Sequence, residues 1–551
     1  MKYLLVLFLF SCNATDSLFK RGDSKSAGGS QTPPKEEIEV VDPHLFITTW
    51  EVPEGDATLI LPLNNGYNYQ FEVDWGDGSR SEINSFDDSD IFHTYESAGT
   101  YDVSIKGDLG YFGFAKDRSQ CIFNSPSAPH ADNLKLRDIK QWGTNKWQRL
   151  MYAFCGAKHL QISAKDAPDL SGISNLSGLF AYATDFNSSI AHWDVGQITS
   201  MEEMFYSAKK FNQPLSNWNM GNVTSISSMF YRATEFNQPL NGWNVSNVIN
   251  MSSAFSNAVK FNQPLDQWDT GKVKSIYGMF NFASSFNQPL ASWNVSQVTS
   301  MGSVFYSATA FNQPLEEWDV DQVTDMSYMF KNASSFNQPL ASWNVSNVTK
   351  MDSMFSGASI FNQELESWNV SKVTDMSYMF HSARDFNHSL NSWNVSNVTN
   401  MKLMFSMARS FDQELNDWDV SKVKNMADMF SGALVFNKPL DKWNVSSVTD
   451  MSYMFSSALG FNQDIGPWNV SKVTNMKSMF YGTNDFNQPI GYWDVSAVTN
   501  MNDMFYGANA FSYDLTCWNV AAVSDHIRFS HSSSLVIEPN WENPGQGTCT
   551  P

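Results

Sequence analysis

Cysteine and histidine are scarce, five and nine residues in a chain of 551. That leaves little material for a thiol redox centre, a metal cage or a histidine-driven proton relay. No histidine sits in H-E-x-x-H, and neither G-x-S-x-G nor a phosphate-cradling glycine loop is present. Cys155 and His159 lie four residues apart, but a buried cysteine beside a surface histidine is a simpler reading than a thiol–imidazole pair. The expectation is a protein that is not an enzyme and uses no metal or cofactor. Charge is also sparse, 17% of residues, and unbalanced: 35 Lys and Arg against 56 Asp and Glu, a formal net charge of −21. Such a surface repels phosphate backbones, so nucleic acid is not an expected partner, and it disfavours docking on anionic lipid. Beyond the N-terminus no run approaches the ~18 apolar residues of a membrane-spanning helix.

The N-terminal stretch does carry an address. Lys2 precedes a short apolar run, Tyr3 to Phe10, and Leu9-Phe10-Ser11-Cys12 follows. This resembles the bacterial lipobox, which implies that residues 1–11 are a lipoprotein signal peptide and that Cys12 is lipidated. Membrane contact is then expected only through that anchor, in the bacterial cell envelope and exposed at the surface. Residues 12–43 include "KRGDSKSAGGSQTPPKEE" and read as a flexible tether. The Arg21-Gly22-Asp23 triplet within it is short enough to arise by chance. Of the other cysteines, Cys517 and Cys549 both lie near the C-terminal end and are expected to pair, leaving Cys121 and Cys155 free.

Residues 44–108 alternate in the β manner, with "FITTW", "TLILPL", "YQFEVDW" and "TYDVSI" separated by turn residues. They predict a small β-sandwich. "VDWGDGS" (Val73 to Ser79) and "HTYESAGTYDV" (His93 to Val103) resemble the PKD domain, an immunoglobulin-like module of extracellular proteins. Asp74 and Asp77 could be calcium ligands, but a tight hairpin turn at Asp77-Gly78 is the simpler expectation.

From about residue 133 the chain becomes periodic. Tryptophan recurs fourteen times at a spacing of 25, from Trp193 to Trp518, with no insertion. "ASSFNQPLASWNVS" occurs at 283–296 and again at 333–346. The consensus is V-T-x-M-x-x-M-F-x-x-A-x-x-F-N-Q-P-L-x-x-W-N-V-S-x, and a fixed period of this length marks a solenoid. The regular array spans 168–520. Residues 109–167 form an N-terminal cap with irregular repeats, and 521–551 a C-terminal cap, because the ends of a stacked core need cover.

Within one unit, Trp318 and Val320 lie two apart and predict a short strand. Met326, Met329, Phe330 and Ala333 fall at i, i+3, i+4 and i+7 and predict a short helix, N-capped by Thr324 or Asp325. Asn337 is expected to bond the backbone of the following bend and to stack on its copies in adjacent coils. The fold class is therefore an α/β repeat: a leucine-rich-repeat-like solenoid of fourteen regular 25-residue coils, each a short parallel strand plus a short helix, after a small β-sandwich. The residue after each tryptophan is always Asn or Asp: Asp194, Asn219, Asn244, Asp269, Asn294, Asp319, Asn344, Asn369, Asn394, Asp419, Asn444, Asn469, Asp494 and Asn519. Stacked, these make one polar row, either a solvated edge or a strip suited to a repeating ligand.

The run "MF…A…FNQPL..WNVS.VT.M" resembles the BspA-type family of leucine-rich-repeat-like bacterial surface lipoproteins. The resemblance implies a non-catalytic surface protein that binds or adheres to a protein or polysaccharide partner through the solenoid face. The competing expectation is a structural spacer or periplasmic scaffold without a specific ligand.

Overall fold

Alternating apolar residues build the first part of the fold. In the computed structural model, which describes residues 42–121, 131–535 and 537–542, eight strands occur. They are β1 (Phe46–Val52), β2 (Thr58–Ile60), β3 (Tyr69–Asp74), β4 (Arg80–Ile83), β5 (Phe92–Thr94), β6 (Gly99–Leu109), β7 (Leu136–Gln141) and β8 (Gln161–Ile162). Six of them form one sheet in the order β4-β3-β6-β1-β7-β8, and β2 pairs with β5 in a second. Tyr69, Phe71 and Val73 of β3 and Val103 and Ile105 of β6 point into the core, with Trp50 and Trp75 fully buried. Residues 43–551 form one compact unit. The expected signal peptide, Cys12 and most of the expected tether fall outside the described residues.

The β-rich part shares one sheet with the segment that caps the array, and one core with the array itself. β1 pairs antiparallel with β7, and β7 pairs parallel with β8, across the sequence boundary expected at 108/109. A single contiguous hydrophobic core then runs from Phe46 to Leu535. Parallel bridges continue the stacking, one residue per coil, from Asn175↔Ser200 through Asp325↔Lys350 to Asn500↔Asp525.

The coils themselves correct the expected fold class. No α-helix occurs among the described residues, and no strand lies in the array. The chain instead makes a ribbon of consecutive turns. In the coil of Trp318, the amides of Met329, Lys331 and Ala333 close turns on the carbonyls of Met326, Tyr328 and Phe330, three residues back. The alternating amides of Met326, Tyr328, Phe330 and Asn332 point along the solenoid axis to Lys350, Asp352, Met354 and Ser356 of the next coil. A helix would keep all these amides within its own segment. Two left-handed residues per coil make the alternation possible, here Tyr328 (φ 59°) and Asn332 (φ 56°). The expected strand is likewise two turns, closed by Trp318 N–H to Leu315 and by Val323 N–H to Val320, and only the single bridge at Asp325 is strand-like. The fold is thus an all-turn solenoid, not a leucine-rich-repeat-like α/β one.

Packing follows the repeat. Met326, Met329, Phe330 and Ala333 are all fully buried, as their spacing predicts. Phe330 stacks on Phe336 within its coil at 4.0 Å, and on Phe305 and Phe355 in the neighbours at 5.7 Å each. Trp318 donates its indole N–H to the carbonyl of Leu290, 2.9 Å away in the preceding coil. Asn312 Oδ1 accepts from the Asn337 amide and from Gln338 Nε2, both at 2.9 Å, so the asparagine ladder expected from the sequence is present. Each coil completes hydrogen bonds its neighbours leave open, which is why one coil cannot stand alone.

Candidate binding face

The two sides of a coil differ in variability. The W-N-V-S side is nearly constant from unit to unit, and its Asn/Asp row is exposed at all fourteen positions from Asp194 to Asn519. Each row oxygen is engaged locally. It accepts the amide two residues on, at 3.0 to 3.3 Å, as in Asp319 to Asp321 and Asn344 to Ser346. This is an Asx turn, for which Asn and Asp are the natural residues. The Ser421 and Ser496 side chains and amides hold the Asp419 and Asp494 carboxyls below the usual range.

The turn ribbon M-x-x-M-F-x-x-A keeps its buried residues and varies the rest. The x positions form four columns along the axis, and tyrosine recurs in them at 206, 231, 277, 306, 328, 378, 453, 481 and 506. Tyr277, Phe282 and Tyr481 are exposed, and Tyr306, Tyr328 and Tyr378 are half-buried. Rings of adjacent coils meet: Tyr206 and Tyr231 stack at 4.5 Å, and Tyr481 and Tyr506 at 5.0 Å. Carboxylates lie between them. Burial pushes the Asp352 carboxyl up, against the hydrogen bond from Tyr328, and Asp375 and Asp325 add to the rise. Burial also raises Asp428 and lowers His381, the latter helped by Lys331. The sequence signal for this face was variation: unlike residues at fixed positions inside an otherwise copied unit.

Near the N-terminal end a segment from outside the array covers this face. Cys121 is disulfide-bonded to Cys155, so neither is the free thiol expected, and their Cα atoms lie 5.6 Å apart. Together with Ala115, Ala181 and Tyr206 they form a satellite core flanked by Tyr152, Tyr182 and Tyr231. Gly178 is left-handed (φ +64°), and a Cβ there would overlap the Tyr152 ring. His159 faces Asp185 at 3.2 Å, so it has no thiol to activate. Cys517 is also a disulfide cysteine, while Cys549, its expected partner, lies outside the described residues.

In the WGDG turn, Asp74 accepts the Gly76 amide and pairs with Arg80, and Asp77 accepts from the Ser79 amide and hydroxyl and pairs with His93 at 2.7 Å. Both carboxylates therefore serve the hairpin. No group of three or more His, Cys, Asp or Glu is placed to hold a metal ion among the described residues, and no helix there is long and apolar enough to cross a membrane.

A stacked array with one constant polar face and one variable aromatic face defines a repeat solenoid. The family described as "Mycoplasma protein of unknown function, DUF285" matches residues 148–268, 249–368, 336–443, 358–466 and 435–538, most of the chain. The chain belongs to that family. No curated protein matches it.

Proposed function

We propose that this chain is a non-catalytic binding protein of the bacterial cell envelope, anchored by lipid at Cys12 and presenting its turn face to a protein or polysaccharide partner. The BspA-type and PKD-like resemblances support a surface role. The observation that carries the reading is the exposure of Tyr277, Phe282 and Tyr481 together on the variable turn face. Exposed aromatic side chains supply contact area at low entropic cost and are enriched where proteins bind partners. The spacer reading rests on the uniform Asx row, whose oxygens are spent on their own turns. Protease shaving of intact cells tests the proposal. Release of fragments from 168–520 is expected, and a Cys12→Ala chain should be lost from the membrane fraction. Survival of the array until the envelope is broken would leave the periplasmic scaffold instead.

A further inference from the structure

All six cation–π contacts among the described residues fall on the turn face. Arg232 lies by Tyr231, Lys331 by Tyr306 and Tyr328, Lys477 by Tyr453 and Arg528 by Tyr506. The remaining one has a different origin. Arg118 belongs to segment 115–121, outside the array, and reaches onto the face with its guanidinium 4.3 Å from the Tyr206 ring centre. It donates to the Tyr206 hydroxyl and to the Glu203 carboxylate, each at 2.9 Å. Tyr152 donates to the same carboxylate at 3.0 Å. The Glu203–Tyr206 pair recurs in the same two columns near the other end as Asp503 and Tyr506. There Arg528 meets the carboxylate at 2.7 Å and the ring at 5.4 Å. Twice, then, an acid and a tyrosine of the turn face hold a guanidinium.

Between these ends lies a stretch with exposed rings, where the array's own Lys331 already sits by Tyr306 and Tyr328 and no segment from outside the array is laid over it among the described residues. Tyr277 is 44% exposed and Phe282 40%. Phe282 lies 4.9 Å from Tyr306, and burial, then the nearby Asp352 carboxylate, push the Tyr328 phenol up. Gly302 leaves the space into which the Tyr277 ring leans, since a Cβ there would come within 2.8 Å of the ring. We propose that this stretch docks an extended arginine- or lysine-bearing segment of a partner protein, as segment 115–121 docks over Tyr206. The proposal rests on the binding reading above and names its partner class. The ring faces carry partial negative charge and attract guanidinium most strongly when it is partly desolvated. The net charge of −21 draws a basic partner in from a distance. A neutral glycan would gain contact with the rings and nothing from the charge.

The test uses the purified full chain and three probes: an oligo-arginine peptide, an oligo-serine peptide of equal length and a neutral oligosaccharide. Each is titrated at low and at physiological salt against the native chain and against Y277S/F282S. Both substituted side chains are exposed, so thermal unfolding of the variant should match that of the native chain; Asp352→Asn provides a second variant that keeps the rings. Oligo-arginine should bind where oligo-serine does not, weaken as salt rises, and lose about tenfold in affinity in Y277S/F282S. Oligo-arginine binding that is unchanged in both variants would overturn the proposal. Oligosaccharide binding that Y277S/F282S abolishes would also overturn it, while leaving the turn face as a binding face. If no probe responds to either variant, the proposal fails, and protease shaving decides the binding reading separately.

Discussion

At the scale of the residue, the unusual feature is backbone handedness. Twenty-five non-glycine residues among those described have φ between 53° and 60°, and none is Val, Ile or Thr. The left-handed region costs an L-residue roughly 1–2 kcal/mol, and more when the side chain is β-branched. Here the strain turns alternate amides onto the axis, where the next coil accepts them. Ser303 (φ 59°) is a fair probe because it is buried and lies mid-array. Ser303→Val should destabilise by about 2 kcal/mol or more, and Ser303→Gly should be neutral or stabilising by up to about 1 kcal/mol. Denaturant unfolding of the two variants checks this; equal destabilisation by both would mean that the serine side chain matters more than its φ. Handedness was not legible in the sequence, because serine at these positions carries no sign of it. What was legible is Asn312: a polar residue copied at every coil implies a ladder, and its oxygen takes two donors from the next coil.

At the scale of the element, the same hydrophobic spacing serves two backbones. Met326, Met329, Phe330 and Ala333 form one buried face, which the spacing identifies correctly. It cannot distinguish a helix from a ribbon of turns that repeats every four residues, because both return side chains to one face at i+3 and i+4. The hairpin between β3 and β4 was easier, since Asp-Gly turn chemistry is local. Its stability should depend on pH. Burial would raise the Asp77 carboxyl, but hydrogen bonds from Ser79 and the His93 contact hold it at about 2, below its ordinary 3.8. A carboxyl depressed by folding stabilises above its unfolded value and loses that contribution as pH falls through the folded one. The stability difference between the native chain and Asp77→Asn should therefore be full above about pH 4 and shrink toward pH 2. Thermal unfolding across that range measures it, and a difference that does not change with pH would show that Asp77 acts only through geometry.

At the scale of the whole molecule, the array is a one-dimensional stack in which like columns lie close together. Neighbouring phenylalanine rings repeat at 5.7 Å, so carboxylates in one column sit within a few coils of one another. Opposite charges do meet across coils, as Lys350 with Asp325 at 3.5 Å and Lys442 with Asp417 at 2.9 Å, but these are exposed and contribute little. Of the net charge of −21 on the whole chain, −12 falls within residues 168–520 (18 Lys and Arg against 30 Asp and Glu) and is spread along the same axis. At about 10 mM ionic strength the screening length is about 30 Å, long enough for repulsion to act over several coils; at about 150 mM it is about 8 Å. Added salt should therefore raise the thermal unfolding temperature of the full chain over this range, because it screens net repulsion more than it weakens isolated pairs. The expected sign is opposite to that for oligo-arginine binding at Tyr277 and Phe282, which the same salt should weaken. Measuring both on one preparation separates the roles of charge: repulsion along the stack, attraction for a basic partner. An unfolding temperature that falls with salt would mean that the inter-coil ion pairs, not the net charge, set the electrostatic balance of the array.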